Sequence, residues 1–245
     1  MRLRQVALAS YRLDERVEAF SEAFDLEVAY RDPHIHVYGL RNAVLPAGGG
    51  FIEIVEPVRE DASAARFLNR RGGDAGYMVI LQVADATAER DRIAALGVRV
   101  VENISMADYR AAHFHPADFG GVLVSVDQQL SAPDHLAPDA DWTPAGPDWR
   151  AAKGEVALDL AGVVIEGPDP DALAARWSQL LARPLSGPDG RRLKLDRGEI
   201  RFALSVSGAS TSISKILLSG DVEPATIGGV RFVPMEMESD QSIQS

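Results

Sequence analysis

A chain of 245 residues with no cysteine, 46% hydrophobic residues and a formal charge of −11 has room for one large domain or two smaller ones. Hydrophobic content near one half excludes a disordered chain. No apolar run reaches the ~18–20 residues that span a bilayer, and the absence of cysteine removes disulfides, zinc ribbons and thiol nucleophiles together. An acidic balance without a basic stripe mismatches nucleic acid, whose affinity rests on neutralised phosphates. The apolar stretch near the N-terminus is broken by Tyr11 and Arg12 before it reaches signal-peptide length. A cytoplasmic protein without nucleic-acid or membrane partners is expected. Positive charge is almost all arginine, Lys153, Lys194 and Lys215 being the only lysines, a skew that reads as genomic composition.

In chain order, VALAS (6–10) predicts a strand and DERVEAFSEAF (14–24) an amphipathic helix with Val17, Phe20 and Phe24 on one face and Asp14 as its N-cap. EVAYRD, HVYGL and FIEIVEP read as three further strands, the last entered through a hairpin turn at Gly48, Gly49 and Gly50. The order then recurs. YMVILQV (77–83) is a strand and TAERDRIAAL (87–96) a helix closed by Gly97, and RVVENIS, AAHFHP and GVLVSVD follow as strands. Val6 and Val79 lie 73 residues apart, and Glu53 and Ser125 lie 72 apart, so two strand-helix-strand-strand-strand units repeat at nearly constant offset.

Residues 131–150 hold four prolines and read as a linker pinned by Trp142 and Trp149. Beyond it, LAGVVIEG is a strand, PDALAARWSQLLA a helix with Pro170 in its first turn, and RRLKLD and EIRFALSV a hairpin. SKILLSGD and GGVRFVPME then supply two strands of a fourth unit whose helix is missing, and ESDQSIQS is expected to be disordered.

FIEIVEP closing the first unit and HFHPADFGGVLVSVD closing the second resemble the vicinal oxygen chelate superfamily, which includes glyoxalase I, methylmalonyl-CoA epimerase, extradiol dioxygenases and bleomycin-resistance proteins. The resemblance implies an α+β fold in which repeated βαβββ units form two open barrel-like sheets, the C-terminal one incomplete. It implies an N-terminal domain over 1–129, a linker over 130–150, a degenerate C-terminal domain over 151–237 and a tail over 238–245. The main pocket is then expected between 5–56 and 77–127. Superfamily enzymes hold a divalent metal on four side chains from first and last strands. Those slots fall on Gln5, Glu53, Met78 and Ser125, and loosely on Gly162 and Lys215. Met78 and Ser125 are poor ligands for such a cation, so no metal or other cofactor is expected.

Glu53 alternates with Phe51 and Val55 on one strand face. A carboxylate there should have a raised pKa and act as general base or bind a cationic ligand; the alternative is a structural glutamate paired with Arg41. His113 and His115 share a strand face and would shuttle protons or ligate, unless His115 merely ties the turn it enters. His34 and His36 repeat that spacing in unit one. Glu53, His113 and His115 are therefore the candidate catalytic residues, with Gln5, Tyr38, Tyr77, Met78 and Ser125 lining the pocket. Tyr109 is a further candidate to reach a ligand with its hydroxyl. Two functions follow: a metal-free protein that binds a small organic molecule, or a lyase, isomerase or dioxygenase with a displaced divalent metal on Glu53, His113 and His115. A purely structural role, with the pocket filled by core side chains, is a third. A monomer and a homodimer both fit.

Overall fold

A computed structural model of the protein describes residues 1–154, 157–206 and 209–235. The tail expected to be disordered, 238–245, lies outside them.

The first unit comprises β1 (Arg2–Ala9), α1 (Leu13–Phe24), β2 (Leu40–Ala47) and β3 (Gly50–Pro57). A helix α2 (Ser63–Arg71) leads to the second: β4 (Ala75–Gln82), α3 (Ala86–Ala94), β5 (Val100–Ser105), β6 (Tyr109–Phe114) and β7 (Leu123–Gln129). The third holds β8 (Asp159–Gly167), α4 (Pro170–Leu181), β9 (Leu185–Ser186), β10 (Arg192–Lys194) and β11 (Glu199–Leu204). The last holds only strands: β12 (Ser212–Ser219), β13 (Ala225–Ile227) and β14 (Val230–Pro234).

One pairing rule generates the α+β architecture. The first strand of each unit runs parallel to its last, as β1 with β3, β4 with β7, β8 with β11 and β12 with β14. First strands of paired units run antiparallel, β1 with β4 and β8 with β12. The two halves join where Ile213 of β12 meets Gly76 of β4 and at an isolated bridge from Arg2 to Arg197, and the sheet does not close into a barrel. A Cβ at Gly76 would lie 2.5 Å from that of Ile213, so only glycine lets β4 and β12 meet.

Alternation along each strand sends one set of side chains to the helices and the other to a helix-free face. Ile52 and Ile54, Val79 and Leu81, Val163 and Ile165, and Ile216 and Leu218 all belong to a single core shared by both halves. The helices knit it together. Phe20 and Phe24 of α1 meet Phe232 of β14 at 5.0 and 5.7 Å, so the helix of the first unit covers the unit that has none. Trp177 of α4 contacts Phe202 of its own sheet and Phe119 of the second unit, and its Nε1 donates to the Phe119 carbonyl at 3.0 Å.

Unit one departs from its sequence reading. HVYGL is not a strand: Ile35–Tyr38 form a 3-10 turn that Gly39 ends at φ 70°, and the edge strand is LRNAVLPA. Pro33 just upstream has no N–H to give a ladder. EVAYRD contributes only the bridge from Tyr30 to Val44. Asp14 does not cap α1; the helix begins at Leu13, whose N–H donates to Glu56 Oε2 at 2.9 Å, while Asp14 pairs with Arg31 and Arg41. Helix α2 escaped the sequence reading altogether.

Phe232→Ala should remove about 3–5 kcal/mol of stability, the range for a large aromatic lost from a packed core. Urea denaturation followed by far-ultraviolet circular dichroism measures it. A loss under ~1 kcal/mol would mean that α1 does not hold the last unit.

Candidate functional site

Two β-bulges shape the helix-free face of the N-terminal half. Across the β1–β4 ladder Leu3 faces Leu81 and Gln5 faces Ile80, so Arg4 is an extra residue on β1. Farther along, Ala7 faces Met78 and Leu8 faces Gly76, making Tyr77 the extra residue on β4. A bulge turns two consecutive side chains to the same side. Arg4 therefore joins Gln5, and Tyr77 joins Met78, on the face opposite the helices.

The strand register then lines up one rung across the face: Val44, Glu53, Ala7, Met78 and Leu123. Glu53 is its only charge. The carboxylate accepts from Gln5 Nε2 at 2.8 Å and from Asn42 Nδ2 at 2.7 Å. Burial among apolar neighbours pushes its pKa up, against the pull of these two amides. Arg41 is not its partner; that guanidinium lies outside, on Glu56 and Asp14.

The segment after β7 does more than connect. Trp142 and Trp149, both with almost no exposure, pack with Ala145 against Phe51, Val44, Ile80 and Tyr109. Trp142 Nε1 donates to Gln5 Oε1 at 2.8 Å. The Arg4 guanidinium lies 5.0 Å from the Phe51 ring, 5.3 Å from Trp142 and 5.8 Å from Trp149. It donates to the carbonyls of Gly49 at 2.6 Å and Ala140 at 2.8 Å. Among the described residues no carboxylate pairs with it, and burial, with Arg2 nearby, lowers its pKa to about 8. At the opposite end α2 covers Ala9 and Val55 with Ala64 and Leu68, and Phe67 meets Tyr77 at 5.0 Å. The pocket expected over this face is thus largely filled by chain. Around the Glu53 rung, Tyr77, Leu123 and His113 remain half-buried.

Of the eight residues singled out from sequence, the structure puts Gln5, Glu53, Met78, Tyr77, Ser125 and His113 on this face. Burial lowers the His113 pKa to about 4, so the imidazole is neutral. Tyr38 lies in the turn before β2, and partial burial, then Glu102 on β5, raises its pKa. His115 stands apart: its Nδ1 accepts from the Ala117 N–H at 3.2 Å and lies 3.0 Å from Arg99 Nη2, the turn-tying role. His34 and His36 are exposed in the 3-10 turn region, and Nδ1 of His36 lies against the Pro33 carbonyl. Arg4, Asn42 and Asp127 were not singled out; polar residues inside apolar strands were the available signal. Asp127 is fully buried and accepts from Tyr109 Oη and Ser125 Oγ. Burial raises its pKa to about 7.

The donor set does not suit a divalent cation. Both ends of the Gln5 amide are engaged, both Glu53 oxygens already accept hydrogen bonds, Ser125 donates to Asp127, and Met78 offers a thioether. No group of three or more His, Asp or Glu able to hold a metal occurs among the described residues.

A family model described as a glyoxalase-like domain matches residues 6–181. An ethylmalonyl-CoA/methylmalonyl-CoA epimerase of Cereibacter sphaeroides is 29% identical over 132 residues, covering 52% of this chain and 97% of the epimerase. Among solved structures, the methylmalonyl-CoA epimerase of Mycobacterium tuberculosis is similar at 26% identity and a TM-score of 0.47, covering 52% of this chain and 87% of its own. A Streptomyces coelicolor methylmalonyl-CoA epimerase in complex with 2-nitronate-propionyl-CoA is similar at 27% identity and a TM-score of 0.47, covering 53% of this chain and 94% of its own.

Arg4→Ala should cost about 2–3 kcal/mol through orphaned carbonyls and lost ring contacts, and should release the tryptophans. The check is a red-shifted emission with increased acrylamide quenching; unchanged quenching would show that the segment is held without Arg4. A second expectation concerns pH. With its folded pKa raised to about 7 from 3.8, Asp127 favours the folded state while protonated, and that stability drains away as pH rises between those values. His113 acts oppositely, losing stability as pH falls from 6.5 toward about 4. The difference between Asp127→Asn and wild type isolates the aspartate: the variant should gain relative stability from pH 4.5 to pH 7.5 in urea titrations, and a flat difference would refute the assignment.

Proposed function

Because the chain belongs to the glyoxalase-like domain family, within the vicinal oxygen chelate superfamily, we propose that it binds a small organic molecule over the Glu53 rung without a metal ion. One observation carries this reading. Glu53 is a lone carboxylate on an apolar rung, fixed by two amides and paired with no cation among the described residues. Such a group is oriented in advance and poorly solvated, so it gains most from a ligand that brings an N–H, an O–H or a positive charge to it. Tyr77, Leu123 and His113 at the edge offer apolar and neutral polar contacts. The saturation of Gln5 and Ser125 by protein partners supports the metal-free part.

Similarity to an ethylmalonyl-CoA/methylmalonyl-CoA epimerase favours a second reading of the same site. A carboxylate with a raised pKa is a competent base toward a carbon acid, so Glu53 would remove and return a proton next to a carbonyl. Removal and return by this one carboxylate gives the solvent-exchanged substrate, with no net loss of atoms.

Elemental analysis and proton exchange separate the possibilities. Purified protein should carry well under one divalent ion per chain; a stoichiometric metal lost in Glu53→Ala would overturn the metal-free reading. With methylmalonyl-CoA in D2O, deuterium entering next to the carbonyl in wild type and not in Glu53→Gln establishes the base. Quenching of tryptophan emission without exchange supports binding alone. Neither response would remove acyl-CoA compounds from consideration, and a panel of small amines then tests the remaining ligand class.

A further inference from the structure

The C-terminal half repeats the topology of the N-terminal half with the opposite charge. Across β8 and β12, Ile213 faces Ile165 while Lys215 faces Val164, and Leu217 faces Gly162 while Leu218 faces Leu160, so bulges recur at Ser214 and Ala161. Register then equates the rung Val44, Glu53, Ala7, Met78, Leu123 with Arg192, Arg201, Val164, Lys215, Arg231. Four of these five residues are cationic, and they face away from the helices, since Leu193, Ile200, Val163, Ile216 and Phe232 between them line the core.

This arrangement is costly to the fold. Arg192 sits directly opposite Arg201, and Lys215 opposite Arg231, and like charges in cross-strand register are destabilising. On the Arg192 side the buried Glu199 compensates, paired with Arg201 and 3.6 Å from Arg192. On the other side nothing does: the side chains of Lys215 and Arg231 form no ion pair among the described residues. Two of the three lysines in the chain, Lys194 and Lys215, lie on this face of an otherwise acidic protein. The floor between the charges is apolar, with Val164 and Leu217 at 7% and 3% exposure. A cavity of about 290 Å³ adjoins it, lined in part by Lys194, Arg197, Arg2 and Glu199.

We propose that this face binds a small organic oxyanion, a carboxylate or phosphate ester, between Arg201 and Lys215. The two side chains flank β8, roughly 10 Å apart at the backbone by strand spacing, so both reach one oxyanion placed over Val164. The guanidinium supplies paired N–H donors and the ammonium a mobile point charge. An anion there relieves the repulsion between Lys215 and Arg231. The site is separate from Glu53 and does not depend on the function proposed for it.

Titration calorimetry and thermal melting of the full chain test the proposal, with inorganic phosphate and succinate as probes at ionic strength held constant by sodium chloride. Saturable binding and a raised Tm are expected for one or both probes, and which one binds identifies the oxyanion. Lys215→Gln with Arg231→Gln should weaken binding at least about tenfold, while Lys215→Arg stays within a few-fold of wild type. Without ligand, the double variant should melt at or above the wild-type temperature, because it removes a repulsive pair. Three results would overturn the proposal: a response to both probes no greater than to chloride alone, undiminished binding by the double variant, or a lower ligand-free Tm, which would mark the cations as structural.

Discussion

Between Leu3 and Gln5, β1 carries one residue more than the strand beside it, and that residue is Arg4. Without the bulge, strict alternation would aim Arg4 into the helix-side core between Leu3 and Val6, where no acceptor meets it. With the bulge, its guanidinium enters the helix-free face, still buried, and needs partners there. Carbonyls of Gly49 and Ala140 and three aromatic rings supply them. Two of the rings and one of the carbonyls come from the proline-rich segment, so that segment must lie across the face. Its placement brings the Trp142 indole to Gln5, and Gln5 to Glu53. A single extra residue in one strand thus decides what fills the N-terminal half and how its carboxylate is held.

The two halves show how one topology supports opposite surfaces. An apolar rung with one carboxylate tolerates burial, and tryptophans pack beside it. A rung with four cations does not, because desolvating unpaired charge costs far more than contact with an apolar segment returns. Arg231 accordingly stays exposed, while Arg192, Arg201 and Lys215 are half-buried. The helices meanwhile serve both halves. α1 covers β14, which makes the helix missing from the last unit affordable and ties the halves into one core.

Features set by periodicity were legible in the sequence. The unit order, the degenerate third and fourth units and the missing helix all follow from where period two gives way to the helical period. Met78 and Ser125 are recognisable as poor metal ligands from residue type alone, and the register puts both on the helix-free face. Bulges were not, because one inserted residue leaves the hydrophobic pattern almost unchanged while turning Arg4 and Tyr77 to the other side. The shift of the edge strand from HVYGL to LRNAVLPA belongs to the same class: both stretches alternate, and the choice rests on which one meets β3. The arginine-rich composition hid the cationic rung. Arg192, Arg201, Lys215 and Arg231 are scattered over 40 residues of sequence and become neighbours only through the register of five strands.

Closure of the face and loss of the superfamily ligand set are linked through Gln5. In a metal site of the kind the resemblance implies, the residue at this slot must offer a lone pair outward, to a cation with positions open for substrate. Here its carbonyl oxygen takes the indole proton and its amide nitrogen gives one to Glu53. Reversing that commitment means withdrawing Trp142, which Tyr109 and Arg4 hold from two sides, and leaving Glu53 one donor short in an apolar rung. The interactions that bury the tryptophan and those that orient the carboxylate therefore reinforce each other. A chemistry carried out by this face has to begin from Glu53 as it stands, a carboxylate already oriented by two amides.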